Sequence, residues 1–547
     1  MSNAAIYLDP EAYLTSGDVL MGRHSAGESF LRGFLRHGDV DGFRFWNVAA
    51  RPLPELEAMV DALHGDARPR SWIGMRDRGR LGEAGAVYLP GPFVGREAWQ
   101  RSPFGANAYS ICGITHTTAS AEIQADIGQL LVAPTQAHDA LICTSEAVRA
   151  AVEAQLDAIR DYLAFQFGPR RTPEPQRVTI PLGINTADFA RTDAQRATWR
   201  ERLGIPADAV VALYVGRFSA LGKMNPGVMA LALEAAARET GREVWWVLSG
   251  WAEDAQAEAR YHDGARTLCP SVRYVVVDGR PAETRFSIWS VADVFISLSD
   301  NVQETFGLTP LEAMAAGLPS VVSDWDGYRD TVRDNVDGFR IPTWAPSPGQ
   351  GRDLAFGYAN GWIDYSSYVG LAAQTTAVDI ARAADAIAVL IRHPRIAREM
   401  GEAAQAHART EFDWSVIIPR YQALWADLAA RRAAAAPSPA NPDNPWRMDP
   451  FRAFAGYATR HITAATQVVL SPGVTPASAI AVLKSPMASL VAYNFPTPDE
   501  VEAIVGRLSP EVPLTVSGLL ADFPAGRRYF LERGLGWLAK FGVVRLA

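Results

Sequence analysis

Glu304-Thr305-Phe306-Gly307-Leu308-Thr309-Pro310-Leu311-Glu312-Ala313-Met314-Ala315-Ala316-Gly317-Leu318-Pro319 decides how this chain is read. Two glutamates stand eight residues apart, with a glycine between them and a helical pattern after it. The pattern places Thr309 as the N-cap, Pro310 as the first helical residue and Gly317 as the terminator. Main-chain N–H groups around Gly307–Thr309 would then point unpaired out of the helix start. That is an anion site suited to a diphosphate. Glu304 falls in the loop before the helix and Glu312 in its first turn. Thr309 and Glu312 also fit a capping box, which alone would account for that glutamate. Glu304, just after the apolar strand Val294–Ser297, has no comparable structural duty.

Working upstream, Tyr214-Val215-Gly216-Arg217-Phe218-Ser219-Ala220-Leu221-Gly222-Lys223-Met224-Asn225-Pro226 is a second constellation. A buried strand ends in a glycine turn, and two cations follow before a helix. Asn225 and Pro226 suit its N-cap and first helical position. Arg and Lys at the carboxyl end of a strand, beside a helix start, suit a pyrophosphate.

Together these residues resemble the EX7E signature of retaining glycosyltransferases with the GT-B fold, family 4 in particular. Phe306-Gly307-Leu308 and Glu312-Ala313-Met314-Ala315-Ala316-Gly317-Leu318-Pro319 complete the likeness. Further matches are Val178–Asn185, Trp289–Ile296, Gly327–Thr331, Asp337-Gly338-Phe339 and Glu411-Phe412-Asp413-Trp414. The resemblance covers roughly residues 1–430. It implies that Glu304 is catalytic and faces the donor sugar, and that Glu312 binds the ribose hydroxyls. The amides of Phe306, Gly307, Leu308 and Thr309 would hold the phosphates, and Arg217 and Lys223 the donor diphosphate. His116 follows the expected strand Tyr109–Cys112, at the carboxyl end that should face the cleft. The resemblance makes it the second catalytic candidate. Gly22, in Gly22-Arg23-His24-Ser25-Ala26-Gly27-Glu28, corresponds to a glycine-containing loop near the donor phosphates. Ser25 and Glu28 fit a capping box at that helix start.

Asp324-Trp325-Asp326 matches a metal-binding DxD motif of a different glycosyltransferase fold. It follows the next strand and is read as a loop. No essential metal and no cofactor are expected. Arg217, Lys223 and the helix dipole would then stabilise the leaving diphosphate.

Up to about residue 432, short β-branched runs alternate with longer helical patterns, the mark of parallel sheets with crossover helices. One series of strands is Ala4–Leu8, Phe43–Trp46, Tyr109–Cys112, Ala140–Cys143 and Val178–Ile180. The other is Val210–Val215, Val244–Leu248, Tyr274–Val277, Val294–Ser297 and Ser320–Ser323. The expected organisation is an α/β chain with two Rossmann-like domains facing a cleft. Residues 1–190 would form an acceptor domain and 191–395 a nucleotide-sugar-binding domain. Closing helices over 396–432 would cross back to the first domain. Residues 433–450 form a Pro/Ala linker, whose stretch Ala433–Pro445 is small, polar and proline-rich with nothing to bury.

Residues 451–547 follow, with helices expected over Asp499–Leu508, Thr515–Ala521 and Gly526–Lys540 and a strand over Phe541–Leu546. Tyr529, Phe530, Leu535, Trp537 and Leu538 are the apolar positions of the last helix. That order resembles a small, mainly α winged-helix module. It holds nine Lys/Arg and six Asp/Glu, too weakly basic for a DNA reader. Docking or homo-oligomerisation is the expected role.

The chain has 547 residues and a net charge of −8, from 52 Lys+Arg and 60 Asp+Glu. That balance argues against a nucleic-acid or anionic-membrane binder held by bulk charge. Three unpaired cysteines, Cys112, Cys143 and Cys269, point to a reducing compartment. No signal peptide and no run of about 18 apolar residues is found, so a cytoplasmic location is expected. The expected activity is metal-independent transfer of a sugar from a nucleoside-diphosphate sugar, with retention of configuration. The acceptor is a glycan, a lipid-linked glycan or a protein. The alternative is a nucleotide-sugar-binding assembly or regulatory protein on the same scaffold, with the tail mediating protein interaction.

Overall fold

The computed structural model describes residues 3–15, 22–65, 67–169, 173–252, 254–490 and 495–547. The chain divides into two compact units, Met1–Pro442 and Asp443–Ala547. Among the described residues no helix is long and apolar enough to cross a membrane. The three cysteines are free and buried.

The first unit holds two parallel sheets. The first contains β1 (Ala5–Leu8), β2 (Phe43–Asn47), β3 (Arg70–Gly74), β4 (Ala86–Tyr88), β5 (Ser110–Ile114), β6 (Ala140–Cys143) and β7 (Gln176–Thr179), in the order β3-β2-β1-β4-β5-β6-β7. The second contains β8 (Val210–Val215), β9 (Val244–Gly250), β10 (Arg273–Asp278), β11 (Val294–Ser297), β12 (Ser320–Ser323) and β13 (Gly338–Ile341), in the order β10-β9-β8-β11-β12-β13. Two Rossmann-like domains thus face a cleft. The sheets have seven and six strands, not five each. The strands missed are β3, β4 and β13. β3 and β13 lie at sheet edges and carry polar residues, and β4 is three residues long. β3 and β13 thus lack the continuous apolar run of a central parallel strand such as Val294-Phe295-Ile296-Ser297, and β4, though apolar and buried, is short.

In each sheet the strand order reverses next to the first strand: at β1/β4 in one, at β8/β11 in the other. These switch points open crevices at the carboxyl ends of the strands, where ligands of doubly wound sheets bind.

Between β13 and the helix Ile380–Arg392 the second domain carries an insertion. A two-stranded ribbon, β14 (Thr343–Trp344) with β15 (Ala377–Val378), encloses the helices Arg352–Ala359 and Tyr365–Gln374. After the helix Pro394–His407, the helix Trp414–Ala434 packs on the first domain. Trp425 meets Phe34 edge-on at 5.6 Å, and the Trp414 Nε1 donates to Ser29 Oγ at 2.7 Å. Gly33 and Gly183 let the Trp414 ring sit on the backbone, since a Cβ there would stand 2.4 and 2.7 Å from it. The helix runs two residues into the proposed linker. Asn107 Nδ2 then donates to Ala436 O at 2.7 Å, and Asn441 N to Ser102 O at 2.9 Å. Its large apolar side chains, Trp446 and Met448, stay exposed, but main-chain groups at Ala436 and Asn441 fasten the stretch to the first domain.

The second unit centres on an antiparallel sheet, with β16 (Gln467–Leu470) between β17 (Leu514–Thr515) and β18 (Val544–Leu546). Helices Pro476–Leu483, Pro498–Arg507, Val516–Leu520 and Ala525–Lys540 cover it. β16 and the helix Pro476–Leu483 were not expected from sequence. On the last helix the buried face is Leu531, Leu535 and Leu538 with Trp537. Tyr529 is 67% exposed and Phe530 also reaches solvent, so these two apolar positions lie outside the core.

Candidate functional site

The site is built on the switch point of the second sheet. β8 delivers Gly216-Arg217 and β11 delivers Asp300–Glu304, side by side. Gly250, at the end of β9, is required there: a Cβ would sit 1.8 Å from Gly216 O. The two loops are tied together by Asn301, whose Nδ2 donates to Leu221 O at 2.6 Å. Asn301 O in turn accepts from Trp325 Nε1 at 3.1 Å. Lys223 N closes a turn onto Ser219 O at 2.9 Å, and its Nζ forms an ion pair with Glu304 Oε2.

Sequence positions 81 residues apart are thus brought into direct contact. The Glu304 side chain is 10% exposed. Burial pushes its carboxyl up. The Lys223 charge and hydrogen bonds from Lys223 and the Thr305 and Phe306 amides outweigh this and hold it below the ordinary carboxylate value. Arg217 lies two residues past β8, where its charge acts on the hydroxyls of Tyr261, Tyr214 and the insertion's Tyr365.

The helix after Glu304 starts two residues earlier than expected. It spans Leu308–Ala315, with Gly307 at the N-cap and no side-chain cap. Thr309 and Pro310 are its second and third residues, and Glu312 is its fifth. Thr309 is therefore not the N-cap, the Thr309–Glu312 capping box is not formed, and Glu312 is not in the first turn. The reason is Gly307. Its φ of +77° and the Tyr328 ring, 2.1 Å from where a Cβ would be, let the chain turn into the helix there. The uncapped N–H groups at Gly307–Thr309 remain available to an anion. Gly317 ends the helix as expected, with φ +69°. Gly317 N bonds to Met314 O and Leu318 N to Ala313 O, the double closure of a Schellman turn.

Burial pushes the Glu312 carboxyl up to about 7, with the Arg285 charge acting against it. The Phe306 side chain is fully buried, 6.5 Å from Phe412. Only its backbone faces Glu304.

Two other capping expectations also move. The helix over Gly227–Thr240 has Pro226 at its N-cap, although Asn225 Oδ1 still accepts from Gly227 N at 2.9 Å. Ser25 lies inside the helix Gly22–His37, so it cannot cap it. Glu28 instead accepts a hydrogen bond from Thr15 Oγ1. Gly22 is exposed at the start of that helix. The helix residues that line the cavity beside His116 are Arg23, Ala26, Gly27 and Phe30.

His116 stands two residues past β5. Burial, helped by the Arg23 charge, pushes its imidazole down to about 4, so it is neutral at pH 7. Its main-chain O accepts from Thr305 Oγ1 at 3.0 Å, which joins the first domain to the residue after Glu304. Ser145 Oγ donates to Thr305 O at 2.8 Å, and Glu146 N to Asp330 Oδ2 at 2.7 Å. On the other side, Ala121 N donates to Tyr358 Oη of the insertion at 3.0 Å.

Two further acids stand in the site: Asp300, which was not read from sequence, and Asp326, which was read only as part of the Asp324-Trp325-Asp326 loop. Asp300 is 2% exposed, and burial pushes it up to about 7 against a hydrogen bond from the Asn225 amide. Asp326 sits at φ +39°. Burial and the Glu304 charge raise its carboxyl well above the ordinary value. The next residue, Gly327, lies against the Phe306 backbone, with a Cβ position 2.5 Å from Phe306 Cα. The available signal was Asp-Trp-Asp-Gly directly after a buried strand. Among the described residues no group of three or more His, Cys, Asp or Glu is arranged to hold a metal ion.

Residues 195–346 match the family model "Glycosyl transferases group 1". The Anabaena HepE structure with UDP and glucose superposes with a TM-score of 0.50 at 16% identity, over 78% of this chain and all of that one. The fold is GT-B. Among curated proteins, the D-inositol 3-phosphate glycosyltransferase of Acidothermus cellulolyticus is 31% identical over 180 residues, 32% of this chain and 39% of that protein. D-inositol 3-phosphate glycosyltransferase 2 of Catenulispora acidiphila is 34% identical over 174 residues, 30% and 39% of the two chains. This GT-B chain therefore spans about two fifths of the length of these relatives. The matched region contains Arg217, Lys223, Glu304 and Glu312.

Proposed function

We propose that the protein transfers a sugar from a nucleoside-diphosphate sugar to a hydroxyl acceptor, with retention of configuration and without a metal ion. The observation that carries this is the Lys223–Glu304 ion pair beside the uncapped helix start at Gly307. It supports a site with cations and amides for a diphosphate and a carboxylate for the sugar. The group 1 match over residues 195–346 supports the same reading.

In this mechanism the amides of Gly307–Thr309 and the dipole of the helix Leu308–Ala315 take the phosphates, while the Phe306 amide stays on Glu304. Lys223 leaves Glu304 for the β-phosphate when donor binds, with Arg217 alongside, and both offset the charge that develops on the leaving group. Glu304, freed from Lys223, accepts from a sugar hydroxyl and opposes positive charge at the anomeric carbon. Glu312 accepts from the ribose hydroxyls. The acceptor oxygen bonds to the anomeric carbon from the face that the diphosphate leaves. The carbon–phosphate oxygen bond breaks, and the acceptor proton passes to that phosphate oxygen. Neutral His116 offers a hydrogen-bonding wall on the opposite domain. Residues 451–547 are read as a winged-helix-like docking module.

Release of nucleoside diphosphate across a panel of nucleotide sugars tests the reading, with Glu304→Ala and Arg217→Ala as controls. Release from one donor, reduced about 10²–10³-fold in Glu304→Ala, is the expected result. Equal release by wild type and both variants would overturn it.

A further inference from the structure

A cavity of about 240 Å³ opens at the switch point of the first sheet, between the carboxyl ends of β1 and β4 and the helix Gly22–His37. It reaches His116 and so borders the site just described. Its wall is aromatic. Tyr7, Tyr88 and Phe93 line it, and Tyr7 meets Phe93 edge-on at 5.5 Å. The Tyr13 hydroxyl donates to Tyr7 O at 2.9 Å, which fixes that wall from behind.

The charged groups on the cavity lining are Asp9, Glu11 and Arg23. Asp9 caps the helix Pro10–Tyr13 with one oxygen, accepting from Glu11 N at 3.2 Å. Arg23 stands 3.8 Å from Glu11, so its charge is already opposed. Two arginines whose charge reaches Tyr7, Arg78 and Arg96, are likewise held by Glu97 and Asp126. Among the described lining residues, two carboxylates therefore face one engaged guanidinium.

We propose that this cavity is the acceptor subsite and that it selects an uncharged sugar ring over a phosphorylated polyol. The inference rests on the glycosyl-transfer reading and deepens it. A sugar ring has an apolar C–H face, which the Tyr7–Phe93 wall can cover, and a rim of hydroxyls. Carboxylates accept such hydroxyls two at a time without needing a counter-charge. A phosphate monoester brings about −1.5 to −2 charges at neutral pH. Here it would meet a lining whose net charge is negative, Asp9 being left over after Glu11 and Arg23 offset each other, and like charges across an interface suppress that partner. The acceptor that gives the curated relatives their name is such a phosphate. The first domain of this chain is where it would have to part from them.

The test is ligand-observed NMR on the full chain. The probes are methyl glycosides of glucose, galactose, mannose, N-acetylglucosamine, xylose and rhamnose, set against 1D-myo-inositol 3-phosphate. Nucleotide-sugar hydrolysis is measured on the same samples. At least one methyl glycoside should bind tenfold or more tightly than the inositol phosphate, and Tyr7→Ala should weaken it at least tenfold. Glu11→Arg, on an exposed side chain, should bring the inositol phosphate to within threefold of the glycoside. If no glycoside binds, if the inositol phosphate binds as well as the best of them, or if neither variant shifts the ratio, the proposal is overturned. Hydrolysis separates the two readings. Donor turnover with failed selectivity leaves glycosyl transfer standing, while glycoside selectivity without donor turnover overturns the transfer and keeps the sugar site.

Discussion

Lys223 holds the Glu304 carboxyl ionised, while burial pushes Glu312, eight residues on, up to about 7. An acid raised in this way is protonated below pH 7 and accepts two hydroxyls only above it. Donor binding should therefore tighten as pH rises from 6 to 8 and then level off. Glu312→Gln should give weaker binding with a shallower slope, Asp300 being the other site acid raised to about 7; titration calorimetry with an intact nucleotide sugar, whose diphosphate does not titrate over this range, checks this. Both glutamates were legible because their spacing is local and the helix between them leaves a strong pattern. Asp300 was not, and Asp326 was read only as part of a loop. Each follows a different strand, and what makes them notable is depth of burial and the nearness of Glu304, properties that only the packed loops create. His116 was legible by position alone, at the end of a strand that faces the cleft.

At the scale of elements, the helix Leu308–Ala315 shows where pattern reading is displaced. A threonine before a proline is a strong helix-start signal, yet the chain turns two residues earlier because Gly307 alone can adopt φ +77° against Tyr328. Thr309→Ala should then cost under about 0.5 kcal/mol, as for an ordinary substitution. A true N-cap would lose about 1 kcal/mol. Chemical denaturation of the two proteins side by side distinguishes these values. The central strands β6, β8, β11 and β12 were read with their observed bounds, since strands buried on both faces are continuous apolar runs. The edge strands β3 and β13 were invisible for the converse reason: one side meets water and tolerates arginine.

Across the whole molecule, stability has separable sources. The core of the second unit, from Val468 to Val544, is complete in itself. A chain ending at Pro442 should fold and keep donor hydrolysis, as circular dichroism and the release assay would show. Ending it at 432 would remove the Ala436 and Asn441 contacts with the first domain as well. Asp337, fully buried, joins β13 to the helix Pro394–His407 through Arg333 and His407. Burial raises its carboxyl, but these partners and the Arg333 amide bring it down to about 2. A depressed acid stabilises the fold above its unfolded value near 4, and that contribution is lost as pH falls through about 2. Asp337→Asn should cost about 2 kcal/mol at neutral pH. The gap to wild type should close as thermal melts are taken from pH 4 toward pH 2.

The hydrogen bonds across the cleft, Thr305 to His116, Ser145 to Thr305, Glu146 to Asp330 and Ala121 to Tyr358, act as a latch. At about 0.5–1.5 kcal/mol each, the four together amount to about 2–6 kcal/mol, which leaves the unlatched form a minority. On the proposed transfer reading, a nucleotide sugar that needs the cleft open would have its apparent affinity lowered by the fraction of time the latch is undone. The same latch would then detain the nucleotide left after transfer. On that reading the tempo of turnover would be set by four polar contacts that touch neither the sugar nor the bond being made.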